Sequence, residues 1–168
     1  MAVSEPIREQ HKRDLAVEVL RASGRLRLAA RGYSMLPTLW PGDVLTIQAT
    51  TPDRVALADV VLCSRQGDFS IHRVLRHADV NGQLCLVTRG DSMSQEDSPV
   101  APGEFLGKVI AIERDGRSLS HVPACTPLAR AIGLALGSWG RLRSIVLRWR
   151  QRHALREFGM SPDSIGSL

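Results

Sequence analysis

The spacing of apolar and polar residues changes twice along this chain, from helical to strand-like and back to helical. Ile7, Leu15, Val19 and Ala22 recur at helical intervals, with Ser4 at the cap position, Pro6 in the first turn and Gly24 as a stop, so the pattern predicts a helix over residues 4–22. Residues 25–31 partly alternate, which is the period of a half-buried strand. Val44, Leu45 and Ile47 predict a second strand, and residues 59–63 a third that is nearly all apolar and therefore central in a sheet. In residues 69–75 the alternation puts Ser70, His72 and Val74 on one face and Phe69, Ile71 and Arg73 on the other. Asn81-Gly82 is a hairpin signal leading to a strand over residues 84–88. Another strand is predicted over residues 105–112, and Asp115-Gly116 turns it into a last short strand near residues 119–122. From Thr126 helical spacing returns through Leu128, Ile132, Leu136, Trp139, Leu142, Val146 and Trp149.

These elements predict a mainly β core over residues 25–123, a helix over 1–24 before it, a helical extension over 124–158 and a disordered tail over 159–168. At 168 residues and 43% hydrophobic content, one core with appendages is the expected size. The balance of 22 Lys plus Arg against 17 Asp plus Glu is basic, and Arg supplies nearly all of it. Arginine suits phosphates, carboxylates and lipid headgroups alike, so net charge names no partner. Its placement says more. Arg130, Arg141, Arg143, Arg148, Arg150 and Arg152 interrupt the C-terminal apolar positions, leaving no uncharged span of about 18 residues. Residues 126–158 are therefore expected to form a basic amphipathic helix, suited to peripheral membrane contact or to packing on protein, and not a membrane span.

The N-terminal residues contain no apolar stretch of signal-peptide type, so a cytoplasmic location is expected. Cys63, Cys85 and Cys125 are odd in number and widely spaced, and no Cys-x-x-Cys or Cys/His cluster occurs. Free thiols are expected, without a metal site, disulfide framework or cofactor.

Between the first two predicted strands lies Gly32-Tyr33-Ser34-Met35-Leu36-Pro37-Thr38-Leu39-Trp40-Pro41-Gly42-Asp43. Gly32 permits positive φ, and Pro37 and Pro41 remove two backbone donors from any sheet, so the segment holds the Ser34 hydroxyl in a constrained loop. It resembles the nucleophile box of the type I signal peptidases and their self-cleaving, LexA-like repressor relatives, where a Ser-Met-x-Pro-Thr core followed by Gly-Asp carries the catalytic serine. His72-Arg73-Val74 is similar to the His-Arg-Val segment of the histidine-type signal peptidases of the endoplasmic reticulum, archaea and some spore formers. The lysine of the commoner bacterial type has no candidate nearby, since the next lysine is Lys108. Residues 88–97 are similar to the Thr-Lys-Gly-Asp-Asn-x-x-x-Asp-Asp segment of the same enzymes. Arg89, Ser92 and Glu96 replace its Lys, Asn and first paired Asp. Gly107-Lys108-Val109 resembles the segment that ends the family's catalytic core, and Ala58 stands where the family has a Gly before Asp59.

The resemblance spans about residues 26–113 and implies a signal-peptidase-like β fold without the usual membrane anchor. It implies a serine endopeptidase that cuts an extended peptide or protein substrate after small residues. The implied catalytic residues are Ser34 as nucleophile, His72 as base, and Asp97 as the triad acid with Asp91 in reserve. Backbone amides near Ser34 and Met35 would bind the oxyanion, while Gly32 stands where many relatives place a hydroxyl donor. Two other readings follow from the same residues. One is a relative that binds peptides without cutting them, against which the complete set of Ser34, His72 and Asp97 argues. The other is a self-cleaving regulator, which would need a DNA-binding module that one short N-terminal helix does not supply, so no nucleic-acid partner is expected.

Overall fold

Helix α1 (Glu5–Ser23) ends at Gly24, whose φ of 71° and amide bond to the Leu20 carbonyl form a left-handed helix exit. A computed structural model describes residues 5–65, 67–119 and 122–138 of the chain. After α1 come the strands β1 (Arg25–Ala29), β2 (Val44–Ala49), β3 (Val60–Arg65), β4 (Asp68–Val80), β5 (Gln83–Arg89), β6 (Phe105–Arg114) and β7 (Arg117–Leu119), then helix α2 (Pro127–Ser138). The strands form one antiparallel sheet in the order β1-β2-β6-β3-β4-β5, with β7 paired to the end of β6. The protein is mainly β, as the pattern predicts.

The sheet buries both faces, which explains why β3 does not alternate. Val60 and Leu62 join Leu45, Ile47, Val109 and Ile112 in one cluster, while Val61 and Cys63 join Val55, Val74, Leu86 and Phe105 in another. Full burial of each such side chain stabilises by about 1.5–3 kcal/mol, so a polar residue at any of these positions would weaken the strand. Cys63 and Cys85 are buried free thiols, and burial pushes the Cys63 thiol up to about 12. Cys125 is also free but only half-buried.

Four details depart from the expectations. Leu15 and Val19 of α1 are exposed, at 60% and 41%, whereas Leu20 is buried and Arg13, Ala16 and Val17 are half-buried. The helix carries two weak apolar stripes, and contact with the sheet rather than periodicity selects the one through Leu20. The last described strand, Arg117–Leu119, begins tight against its Asp115-Gly116 turn, earlier than the expected start near Leu119, and residues 120–121 of the expected span lie outside the described residues. Ala58 adopts φ 68°, the left-handed conformation that a glycine would take without strain.

The fourth detail concerns β4, which is longer than predicted. Its first half pairs with β3 through Arg73, and its second half pairs with β5 from Arg73 onward, with an irregularity between Val74 and Arg76. Over residues 68–72 the edge of β4 opposite β3 therefore carries no strand among the described residues.

The extension is described only as far as Ser138. Ser4, the predicted helix after residue 138 and the predicted tail over 159–168 lie outside the described residues. No described helix is long and apolar enough to cross a membrane.

Candidate active site

The segment containing Ser34 is an excursion between β1 and β2, closed at its neck by Ala30 N donating to Asp43 O at 2.7 Å and Gly42 N to Ala30 O at 3.0 Å. Gly32 has φ 85° and Gly42 φ 93°, so both sharp bends use the freedom of glycine. Asp43, 2% exposed, pins the loop from within. It accepts a two-pronged contact from Arg114 at 2.9 and 2.6 Å and a hydrogen bond from Trp40 N at 2.7 Å. Arg114 also donates to Thr38 O at 2.8 Å.

A second clamp comes from the segment after β5. Ser92 N donates to Ser34 O at 2.9 Å, and Ser92 Oγ donates to Tyr33 O at 2.9 Å. Gly90 allows this approach: a Cβ there would stand 2.5 Å from Ser34 O and 3.0 Å from Ser34 Cβ. The serine is thus held by packing from both sides before any substrate arrives.

His72 lies on β4 opposite Val61 of β3. Its side chain is 12% exposed, and its ring lies between the two other residues expected to work with it. His72 Nε2 is 3.0 Å from Ser34 Oγ, and His72 Nδ1 is 2.6 Å from Asp97 Oδ2. Asp97 follows β5 in an irregular segment, and Thr88 anchors it twice. Asp97 N donates to Thr88 O at 2.8 Å, and Thr88 Oγ1 donates to Asp97 Oδ2 at 2.6 Å. Thr88 pairs with Val74, two residues beyond His72 on the same face of β4, so sheet register brings the acid to the imidazole. Burial raises the Asp97 carboxyl, but hydrogen bonds from His72 and Thr88 and the charges of His72 and Arg65 outweigh it and hold the group below its ordinary value.

Asp91 occupies a different place. It is 4% exposed and accepts two hydrogen bonds from Arg73, each at 2.8 Å, and one from Thr38 Oγ1 at 2.5 Å. Arg73 in turn donates to Ala58 O at 2.8 Å and Pro123 O at 3.2 Å. Both Asp91 oxygens are thereby committed to a buried ion pair, and the His72 ring bonds to Asp97 instead. Asp91, expected in reserve as triad acid, is thus placed on Arg73 and Thr38 and not on the His72 ring. Asp91 ties the Ser34 loop, through Thr38, to β4.

Met35 is 4% exposed and fills the core beneath the loop. Neither the Ser34 nor the Met35 amide donates to a backbone carbonyl among the described residues outside regular helices and strands. These are the two amides expected as oxyanion donors. The polar relay beside them has the chemistry to activate an alcohol: a base within hydrogen-bond reach of the hydroxyl, and a carboxylate fixing the base from behind.

A groove of about 410 Å³ opens onto Ser34 and His72. Its walls are the end of β1 with residues 30–32, the first half of β4 from Phe69 to Ile71, and, from the helix, Lys12, Arg13 and Ala16. Among the described residues no group of three or more His, Cys, Asp or Glu side chains is arranged to hold a metal ion.

Thr88, Thr38, Arg73, Arg114 and Gly90 shape this site, and no spacing rule marks them out. Thr38, Arg73, Thr88 and Gly90 do fall within the segments that carry the resemblance, but alternation assigns Arg73 only to the opposite face from His72 and gives the others no contact. The sequence matches no protein-family model, and no curated protein matches it.

Proposed function

We propose that the protein is a serine endopeptidase of signal-peptidase type with a LexA-like catalytic fold, using Ser34, His72 and Asp97. The observation that carries this reading is the continuous relay from Ser34 Oγ through the His72 ring to Asp97, at 3.0 and 2.6 Å. Neutral His72 takes the hydroxyl proton at Nε2 as Ser34 Oγ attacks the scissile carbonyl carbon. Asp97, kept ionised by its partners, holds the Nδ1–H tautomer and offsets the charge of the imidazolium. The imidazolium then protonates the departing amine, and water repeats the sequence on the acyl-enzyme. The amides of Ser34 and Met35 stabilise the oxyanion. A positioned base of this kind accelerates reaction by about 10²–10⁴-fold.

The unpaired edge of β4 beside the groove supports a substrate bound as an added strand, with main-chain hydrogen bonds for affinity and side-chain pockets for selection. Small residues next to the cleaved bond are the expected preference. The buried free thiols of Cys63 and Cys85 support action in a reducing, cytoplasmic compartment. Peripheral contact with an anionic bilayer is supported by Leu128 and Ile132 of α2, exposed at 72% and 46%, followed in sequence by the arginines from Arg141 onward. Co-sedimentation with anionic but not neutral vesicles tests that contact.

The catalytic reading is tested with a fluorophosphonate probe and a library of peptides containing small residues. Wild type should label and cleave, and Ser34→Ala should do neither. Absence of both labelling and cleavage in well-folded wild type would sink the reading.

A further inference from the structure

We infer that helix α2 braces the nucleophile against its base, with Gly133 as the positioning residue, although α2 lies beyond the stretch that carries the resemblance. This rests on the proposed peptidase reading, which makes Ser34 the nucleophile. Gly133 is buried, and a Cβ built on it would stand 2.5 Å from Leu36 O, 3.2 Å from Asp91 O and 3.3 Å from Pro37 Cδ. Ordinary contact begins near 3.4 Å, so only a residue without a side chain lets the helix come this close.

The two backbone oxygens that Gly133 meets lie on either side of Ser34. Leu36 is two residues beyond the serine, in a run of turns closed by Leu36 N donating to Tyr33 O at 3.2 Å and Leu39 N to Met35 O at 2.9 Å. A push on Leu36 O therefore travels back to Ser34. Asp91 stands between Gly90, which lies against Ser34 O, and Ser92, whose amide donates to that oxygen at 2.9 Å. The helix is seated at both ends. Leu136, one turn on from Gly133, is 5% exposed, and ahead of the helix Val122 packs against the core while Pro123 O accepts from Arg73 at 3.2 Å. Thr126 Oγ1 caps the first turn by accepting from Ala129 N at 3.1 Å. Bracing on two sides fixes the distance from the Ser34 hydroxyl to its base, and an error of about 1 Å there costs about 10²-fold in rate.

The test compares the full chain with its Gly133→Ala variant. Alanine is the better helix former, so a loss cannot come from an unravelled α2. The new methyl should displace the loop, lowering fluorophosphonate labelling and the kcat of peptide cleavage about 10²-fold each, with KM near the wild-type value. The nitrogen NMR signal of His72 Nε2 should move as it does in Ser34→Ala, while that of Nδ1, bonded to Asp97, stays in place. Leu136→Ala, which loosens the seat of the helix without adding an atom, should show the same changes more weakly. Ala131→Gly, on the exposed side of α2, weakens the helix without touching the loop and should label as wild type does. Unchanged labelling and His72 signals in folded Gly133→Ala, or a loss matched by Ala131→Gly, overturn the inference. Should Gly133→Ala not fold, an unaffected Leu136→Ala overturns it instead. Wild type that neither labels nor cleaves, but whose His72 signal responds to both Ser34→Ala and Gly133→Ala, would leave the positioning role standing and overturn the peptidase reading alone.

Discussion

Asp91 and Asp97 are six residues apart, both carboxylates near the same loop, and exchanging each for asparagine separates their roles. In Asp91→Asn the amide keeps the shape, but Arg73, with its side chain 7% exposed, loses its counter-charge. Removing one member of a buried pair costs about 3–5 kcal/mol. Against a typical total of about 5–15 kcal/mol, that is a large share of stability. For a protein of this size each kcal/mol moves the melting temperature by about 2–4 °C, so a fall on the order of 10 °C is expected. Below that lower melting point, probe labelling should remain within about tenfold of wild type, because Asp91 does not touch His72. Asp97→Asn has the opposite signature. Its side chain is 25% exposed and its partners are His72 and Thr88, so stability should change by less than about 1 kcal/mol. Labelling should fall by about 10⁴-fold, because an amide stabilises no imidazolium and favours the wrong tautomer. Thermal melts and labelling rates on the two variants decide the matter. A catalytic defect in Asp91→Asn at full stability, together with an unimpaired Asp97→Asn, would refute the assignment.

Gly90→Ala should reduce labelling by about 10²-fold, since the new methyl meets Ser34 O and displaces the nucleophile, whereas Gly103→Ala, with nothing within 4 Å, should match wild type. Ala58→Gly should raise stability by up to about 1 kcal/mol in urea titration by relieving a left-handed backbone, and a loss would show that Ala58 is unstrained. Asp97 is held below its ordinary 3.8, so the folded state binds its proton less tightly than the unfolded chain does. The stability this contributes is intact above pH 3.8 and lost as pH falls through the lower folded value. Thr88→Val removes one of the hydrogen bonds responsible, so its acid-unfolding midpoint, followed by circular dichroism, should move to higher pH. An unchanged midpoint would refute that role for Thr88.

The order of strands along the chain and the constrained setting of Ser34 were legible because they are written locally. Alternation over residues 69–75 puts His72 and Ser70 on one face, an unbroken apolar run makes β3 central, and Gly32, Pro37, Pro41 and Gly42 show that the loop around Ser34 is constrained. The resemblance added Asp97, with Asp91 in reserve, but a carboxylate in an irregular segment has no period to give it a direction, so where each side chain goes was not legible.

Where the two carboxylates go was decided by contacts between residues far apart in sequence. Arg73 reaches Asp91, 18 positions on, and both oxygens are taken. The register of β4 against β5 carries Thr88, and with it Asp97, to the imidazole. The buried stripe of α1 is likewise a tertiary outcome, because two weak stripes in one helix are equivalent until a sheet covers one of them. Residue spacing sets which side chains share a face within one element, while register and packing set which elements meet, so the chain names Ser34, His72 and Asp97 by resemblance and only the fold brings them within hydrogen-bond reach of one another.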